Sequence, residues 1–336
     1  MGAIVAQQTA VEKRIDRRDL GGLKLFSGNA NPELAQAVAA HLGVELGKLT
    51  STRFADGEIR IMVEESARGA EIFLIQPTCC PTNENAMELF IMLDAFRRAS
   101  ARRITVVMPY YGYARQDKKI KPREPITARM IADFIENRGA DRVVALDLHA
   151  DQIQGFFNIP VDHLYGGPII GHYLMDKGFA DAKDVVVVSP DVGGATRANA
   201  LAEMLGTTFV VIAKKRPEPN SVEVIEVVGN CKNKRCILID DMIDTGNSIV
   251  FGAEALLERG AKEVIACCTH PVFSREAARR LQDSVLSSVI CLDTIPIPDD
   301  KRFEKLTVLS AAELLGEAIR RIHHNESVSE LFHGWR

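Results

Sequence analysis

The 336-residue chain has no apolar run near the roughly 18 residues that a membrane-spanning helix needs, so we expect no membrane partner. Its first residues, MGAIVAQQTAVEKRIDRRDLGG, also lack the leading basic cluster and long apolar stretch of a secretory signal. We therefore predict a cytoplasmic protein in which residues 1–21 form a disordered N-terminal extension.

The chain also lacks an excess of positive charge and is poor in the larger aromatic residues. Its 41 Lys and Arg face 45 Asp and Glu, for a formal net charge of −4, and it has one Trp and five Tyr. Nucleic-acid binding usually needs a broad basic field and aromatic side chains on which bases stack. We therefore exclude nucleic acid as a partner and expect any phosphate binding to be local.

Seven cysteines are an odd number, and the paired CxxC spacing of a zinc site does not occur among them. They stand as neighbours, as in Cys79 and Cys80 or Cys267 and Cys268, or inside apolar runs. This distribution is typical of reduced, structural cysteines.

Short apolar runs such as EIFLIQP, RVVALDLHA and DVVVVSPD alternate with amphipathic stretches of helical length such as PITARMIADFIENRGA. Strands that are apolar on both faces and alternate with helices indicate an α/β fold with parallel sheets covered on both sides. The pattern occurs twice, and the length exceeds that of one ordinary core. We predict two related domains, residues 22–165 and 166–336, divided where Gly166, Gly167 and Pro168 interrupt the chain.

Two acids follow a buried run in ILIDDMIDTGNSI, residues 237–249. We expect Ile237–Ile239 to form a strand with Asp240 and Asp241 at its carboxyl edge, and a helix to begin near Asn247. The turn between them would lie at a helix N-terminus, where backbone N–H groups favour an anion such as phosphate. The carboxylates suit sugar hydroxyls. The alternative is that the turn residues only cap the helix.

Two other strands end in polar residues. His149 follows a strand in VVALDLHADQIQGFF, between Asp147 and Asp151, and Asp191 follows a strand in VVVVSPDVGGATRA. Ligands of parallel sheets bind beyond the carboxyl ends of strands. By itself, however, His149 could be a structural hydrogen-bonding residue, and PDVGG could be a turn that ends a strand.

Three further segments have both a structural and a functional interpretation. RFADGEI contains Asp56–Gly57, a favoured two-residue hairpin turn. PYYGYARQDKK is either a solvated loop or a nucleotide clamp; no GxxxxGK[ST] motif occurs, so a nucleotide would need such an alternative. In TTFVVIAKKRPEPN, Lys214 and Arg216 share one face of an extended chain and could converge on one target, although charged loops are usually solvated.

Taken in order, these segments resemble class I ribose-phosphate diphosphokinases from about residue 23 to 335, and DDMIDTGNS is similar to the sugar-phosphate loop of type I phosphoribosyltransferases. The resemblance implies two tandem phosphoribosyltransferase-like domains, each a mostly parallel sheet flanked by helices. ATP would bind to the first domain and ribose 5-phosphate to the second. The last helix is expected to pack back on the first domain.

The resemblance also assigns roles to residues. It implies ATP binding by Phe54, Asp56, Gly57, Glu58, Arg115, Gln116 and Asp117. It implies ribose 5-phosphate binding by Asp240, Asp241, Asp244, Thr245, Gly246, Asn247 and Ser248. It implies that His149 and Asp191 ligate the Mg²⁺ carried by ATP, and that Lys214 and Arg216 stabilise the transition state as part of a lid.

The implied reaction transfers the diphosphoryl group of ATP to the 1-hydroxyl of ribose 5-phosphate, giving AMP and 5-phosphoribosyl 1-diphosphate for nucleotide biosynthesis. The resemblance further implies a homo-oligomer, a hexamer, with phosphate and nucleoside diphosphates as effectors. Two rivals are a salvage phosphoribosyltransferase and a catalytically silent regulatory homologue. The duplicated pattern disfavours the first, and retention of His149, Asp191, Lys214 and Arg216 disfavours the second.

The sugar-phosphate loop departs from its family pattern at two positions. The family commonly reads D-T-x-G-T, whereas this chain has Asn247 and Ser248 in the last two places. Asn tolerates left-handed backbone better than other non-glycine residues, and Ser keeps the hydroxyl. We therefore expect the loop to keep its conformation.

Overall fold

The computed structural model of the protein describes residues 20–215, 224–332 and 335. The predicted disordered extension therefore falls, up to residue 19, outside the described residues, and so does Arg216. Leu20 begins the described chain and is buried.

The first sheet has five parallel strands in the order β1-β4-β5-β6-β7. They are β1 (Leu23–Ser27), β4 (Glu71–Ile75), β5 (Arg103–Met108), β6 (Arg142–Leu146) and β7 (Val161–Leu164). Every residue of β4 is buried, in agreement with the apolar run IFLI that follows Glu71. A separate antiparallel hairpin is formed by β2 (Leu49–Arg53) and β3 (Ile59–Val63).

The second sheet has seven strands in the order β10-β9-β8-β11-β12-β13-β14, parallel except for the antiparallel pair β9 and β10. They are β8 (Val185–Ser189), β9 (Thr208–Lys215), β10 (Val224–Val228), β11 (Arg235–Ile243), β12 (Glu263–Pro271), β13 (Ser288–Leu292) and β14 (Leu306–Leu309). The two sheets lie on either side of the predicted boundary at residue 165.

Helices connect the parallel strands and cover the sheets, as crossover connections require. They are α1 (Pro32–Leu42), α2 (Thr82–Arg98), α3 (Thr127–Asn137), α4 (Gly167–Asp176), α5 (Ala195–Met204), α6 (Asn247–Glu258), α7 (Ala277–Asp283) and α8 (Ala312–His324). The expected α/β class, with mostly parallel sheets flanked by helices, is confirmed.

One hydrophobic core is shared by the two sheets. It includes Val107 and Val144 from the first sheet, Val187 and Ile237 from the second, and Leu315 from α8. Separate cores cover the other face of each sheet. Because the shared core joins the two halves, the carboxyl ends of their strands are held in a fixed relation.

Helix α8 lies against α1 of the first half. A Cβ on Gly316 of α8 would be 2.5 Å from the His41 ring of α1, so the two helices approach closely at this glycine. At the end of α8, His323 Nδ1 lies 2.8 Å from Oε2 of Glu71, at the start of β4. These contacts tie the end of the chain to the first sheet.

The seven cysteines are all free, and Cys80 alone among them is exposed. Burial raises the pKa of Cys79 and of Cys236 to about 12. Such thiols are protonated at neutral pH, in agreement with the structural role predicted from the sequence. No helix in the described part of the chain is both long and apolar enough to cross a membrane.

Candidate functional site

The first sheet meets the second where β6 and β11 end. His149, three residues after β6, donates a hydrogen bond from Nδ1 to Oδ2 of Asp241, at 2.7 Å. The strand was expected to end before Asp240, but β11 continues through Asp240 and Asp241 to Ile243. Its pairing with β8 nevertheless stops at Leu238, so the acids emerge at the carboxyl edge on that side.

The pKa values of His149, Asp241 and Asp240 depend on one another. The hydrogen bond with Asp241 raises the pKa of His149 above its ordinary value. Burial opposes ionisation of Asp241, but the bond from His149 and the charge of Arg197 lower its pKa below the ordinary value. Burial, followed by repulsion from Asp241, raises the pKa of Asp240. The surroundings thus shift the pKa values of the two acids in opposite directions.

Arg197 lies beside both acids and was not assigned a role from the sequence. It projects from α5, with Nη1 3.5 Å from Asp240 Oδ1 and 4.0 Å from Asp241 Oδ1. Its side chain is 19% exposed, so its charge acts with little screening by water. The buried Asp241 and the half-buried Asp240 are stabilised by this nearby cation, which stands in GGATRA after β8.

The segment PYYGYARQDKK meets the sugar-phosphate loop directly. Arg115 Nη1 lies 2.6 Å from Asp244 Oδ2, with side-chain exposures of 51% and 26%. The hydrogen bond and charge of Arg115, together with a bond from Ser274, outweigh burial and lower the pKa of Asp244. The structure thus brings together one residue from each predicted substrate loop.

Gln116 and Asp117, the other predicted ATP residues of this segment, are engaged within the first half. Asp117 is buried and accepts a hydrogen bond from Gln152 Nε2 at 2.8 Å. Gln116 Oε1 accepts a bond from the Thr127 hydroxyl at 2.6 Å, at the start of α3. Gln152 lies in the turn after His149. Asp117 therefore links the segment PYYGYARQDKK to the chain next to that histidine.

The sugar-phosphate loop leads directly into α6. Gly246 has φ of 78°, in the left-handed region, and Asn247 is the first residue of the helix. The left-handed conformation expected at Asn247 is therefore taken by Gly246 instead. Asn247 and Ser248 are exposed at the first turn of α6, where the positive end of the helix dipole favours an anion.

Asp191 lies two residues after β8, as the sequence predicted. It is exposed, and its Oδ1 accepts a hydrogen bond from the N–H of Gly194 at 2.9 Å. Its charge contributes to the raised pKa of Asp240, so it belongs to the same electrostatic environment. The described part of the chain has no cluster of three or more His, Cys, Asp or Glu that could enclose a metal.

The hairpin loop of RFADGEI stands apart from these residues. Phe54 N–H donates to the Glu58 carbonyl at 2.8 Å, which leaves three residues at the tip. The expected two-residue turn at Asp56–Gly57 is therefore wrong, and Gly57, with φ of 94°, takes the position that follows the turn. Phe54 is 51% exposed, and the hydrogen bonds of the loop are local.

The predicted lid begins at the end of β9. The backbone of Lys214 pairs with Ile225 of β10. Arg216 lies outside the described residues, so the convergence of these two cations stays a prediction.

A buried set of polar contacts fixes the chain just before His149. Asp147, with φ of 39°, accepts hydrogen bonds from Gly166 N–H at 2.9 Å and from the Thr269 hydroxyl of β12. His270 Nε2 lies 3.1 Å from the carbonyls of both Leu146 and Asp147, to which it donates. Burial lowers the pKa of His270, which favours this neutral form. No local sequence signal identified Thr269 or His270.

A pocket beside His149 is lined by residues of both halves, including Tyr110 and His270. Tyr110 and His270 stack edge to face, with ring centroids 5.1 Å apart. The candidate site is therefore shared by the two halves.

Two family models match parts of the chain. Residues 23–139 match the family described as the N-terminal domain of ribose phosphate pyrophosphokinase. Residues 213–333 match the phosphoribosyl synthetase-associated domain.

Curated relatives and a solved structure cover nearly the whole chain. Ribose-phosphate pyrophosphokinase of Oceanobacillus iheyensis is 54% identical over 92% of this chain and 97% of the relative. The enzyme of that name from Bacillus subtilis is 53% identical with the same coverage. The crystal structure of phosphoribosylpyrophosphate synthetase from Mycobacterium smegmatis has a TM-score of 0.86 at 46% identity, covering 90% of this chain and 99% of that one.

Proposed function

The chain belongs to the ribose-phosphate pyrophosphokinase family, and we propose that it transfers the β,γ-diphosphoryl group of ATP to the 1-hydroxyl of ribose 5-phosphate. The products are AMP and 5-phosphoribosyl 1-diphosphate. The observation that carries this proposal is the 2.6 Å contact between Arg115 and Asp244, which joins the predicted nucleotide loop to the predicted sugar-phosphate loop.

The sugar phosphate binds to the second half. Its 5-phosphate accepts hydrogen bonds from the loop Asp244–Ser248 at the start of α6, where the backbone and the helix dipole favour an anion. Its ring hydroxyls lie at Asp240 and Asp241. The carboxyl oxygens of both residues can accept hydrogen bonds from these hydroxyl groups.

ATP binds from the first half. Arg115 contacts the phosphates, since a guanidinium matches phosphate oxygens in both charge and geometry. Gln116 and Asp117 support the segment that carries Arg115. The exposed hairpin loop Phe54–Glu58 reaches the adenine of a nucleotide bound to a neighbouring subunit, which makes the active unit a homo-oligomer.

The donor chemistry of His149 and Asp191 fits the Mg²⁺ that ATP carries. Asp241 occupies Nδ1 of His149, which leaves Nε2 as the ring nitrogen for a metal, an arrangement common among metal-binding histidines. Mg²⁺ commonly takes few protein ligands in addition to waters and substrate phosphates. When bound, the ion supplies positive charge next to the phosphates.

In the reaction, the sugar O1 forms a bond to Pβ and its proton is released to solvent, while the bond from Pβ to the α,β-bridging oxygen breaks. Negative charge grows on that bridging oxygen and leaves with AMP. Lys214 and Arg216 stabilise this charge. The residues of the chain act by positioning and electrostatics, so no obligatory general base is assigned.

The direct test is to incubate the purified protein with ATP, Mg²⁺ and ribose 5-phosphate and to separate the nucleotides by chromatography. We expect AMP to form in amounts equal to the sugar diphosphate, with no AMP when the sugar is omitted. Stoichiometric ADP would indicate transfer of a single phosphoryl group and would reject the proposal.

A further inference from the structure

Three successive carbonyls at the entry to the sugar-phosphate loop are held by one segment of the chain. Phe273 N–H donates to the Ile243 carbonyl and Ser274 N–H to the Asp244 carbonyl, each at 3.0 Å. The third carbonyl, that of Thr245, accepts from Nη1 of Arg280 on α7. The first two contacts are made by backbone and the third by a side chain.

The orientation of these carbonyls determines where the amides of the loop point. The peptide bonds from residue 243 to 246 are trans, since the cis bond among the described residues is Cys80–Pro81. In a trans peptide the C=O and the following N–H point in opposite directions. The N–H groups of Asp244, Thr245 and Gly246 therefore point away from the segment that holds the carbonyls.

The holding segment is itself in an unusual conformation. Phe273 and Arg275 have φ of 42° and 55°, in the left-handed region that bulky residues rarely adopt. Phe273 is fully buried and its ring lies 6.0 Å from that of Phe303, which secures it in this conformation. Backbone of this kind persists where the surrounding structure requires it, and it often lies at functional sites.

We propose that Arg280 is a positioning residue for the 5-phosphate loop: it holds the Thr245 carbonyl so that the Thr245–Gly246 peptide presents its N–H to the ligand. The inference rests on the proposed binding of ribose 5-phosphate at this loop. Without the guanidinium, the Thr245 carbonyl loses a charge-assisted partner, and the peptide is free to rotate its oxygen toward the phosphate. Phe273 and Ser274 cannot replace this contact, since their N–H groups already bond to the two preceding carbonyls.

The neighbouring Arg279 provides a matched control. It lies on the same helix, and its side chain is 79% exposed, 3.5 Å from Asp283. Arg279→Met removes the same charge from the same short helix but leaves the Thr245 carbonyl untouched. Arg280→Lys keeps the positive charge and supplies an ammonium donor, but it lacks the planar, forked guanidinium.

The experiment measures binding of ribose 5-phosphate and, separately, of ATP with Mg²⁺ by titration calorimetry on wild type, Arg280→Met, Arg280→Lys and Arg279→Met. For Arg280→Met we expect the dissociation constant of ribose 5-phosphate to rise about tenfold or more, since a hydrogen bond from a charged group is lost. ATP affinity should change less than about twofold. In turnover, KM for the sugar should rise while KM for ATP stays the same. Arg280→Lys should lie between Arg280→Met and wild type, and Arg279→Met should match wild type.

Unchanged sugar affinity in Arg280→Met would overturn the inference, and so would an equal loss of ATP affinity, which would indicate a general structural effect. If Arg280→Met does not fold, Arg280→Lys decides the matter, because sugar affinity equal to wild type would overturn the role of the guanidinium. Failure of the wild-type protein to bind ribose 5-phosphate would instead reject the proposed function. The two failures are therefore distinguishable.

Discussion

Arg115 and Asp244 are 129 positions apart in the chain, and their charged groups meet at 2.6 Å where the two sheets face each other. Both side chains keep access to water, with exposures of 51% and 26%. An ion pair of this kind contributes little to stability, on the order of 0–1 kcal/mol. Its significance is therefore that it places an arginine from one half next to the anion loop of the other.

Arg115→Ala should weaken ATP without unfolding the protein. We expect KM for ATP to rise about tenfold or more, because a charged contact to phosphate is lost. The free energy of unfolding should fall by less than about 1 kcal/mol. Arg98→Ala removes a more exposed arginine, also paired with an aspartate at 2.6 Å, and should leave KM for ATP unchanged. Equal ATP kinetics in the two variants would remove Arg115 from the nucleotide site.

The Thr269 hydroxyl should stabilise the contact between the sheets. In Thr269→Val, the buried Asp147 carboxylate loses one of its donors, and we expect a loss of about 1–3 kcal/mol in the free energy of unfolding. Thr105→Val makes the same chemical change on β5, where the buried hydroxyl has no hydrogen-bond partner among the described residues. That variant should be neutral or more stable. Equal losses in the free energy of unfolding of the two variants, measured by urea titration, would contradict this account.

Trp335 should report on how the end of the chain packs against α4, since it is the single tryptophan of the sequence. A Cβ on Gly167 would lie 1.8 Å from a ring carbon of Trp335, which is 5% exposed. Gly167→Ala should therefore displace the ring, shift its fluorescence emission to longer wavelength and lower stability by about 1–3 kcal/mol. Gly155→Ala adds a methyl where nothing lies within 4 Å and should leave the emission unchanged. An unshifted spectrum in Gly167→Ala would show that the ring does not pack there.

Glu317 should make the stability of α8 depend on pH. Burial alone would raise its pKa, but hydrogen bonds from Arg320 and Arg321, at 2.8 Å each from their Nε atoms, lower it. A carboxyl whose pKa is lower in the folded state stabilises the protein above its ordinary pKa, about 4.3, and loses this effect as pH falls through the folded value. Glu317→Gln should thus be less stable than wild type at pH 7, by under about 1 kcal/mol. Thermal unfolding across pH should show the difference disappearing in acid; a constant difference would contradict the assignment.

The sequence predicted those parts of the site that follow from one strand and its loop. β11 and α6 were expected because an apolar run, two acids and a helix start follow one another locally. Thr269 and His270 were missed because their importance arises from the approach of two sheets, which no local pattern encodes. Arg197 was missed although GGATRA follows β8, the strand that pairs with β11. The errors at Asp56–Gly57 and at Asn247 each misplace a turn position by one residue. A turn can close with either of two adjacent residues until the flanking hydrogen bonds fix it.

The most direct test of the account follows each phosphorus of ATP by ³¹P nuclear magnetic resonance during turnover with ribose 5-phosphate. We predict that the β- and γ-phosphorus signals move together, at equal rates, into a diphosphate attached to the sugar, while the α-phosphorus remains in AMP. Movement of the γ-phosphorus alone, with the β-phosphorus left in ADP, would contradict the account.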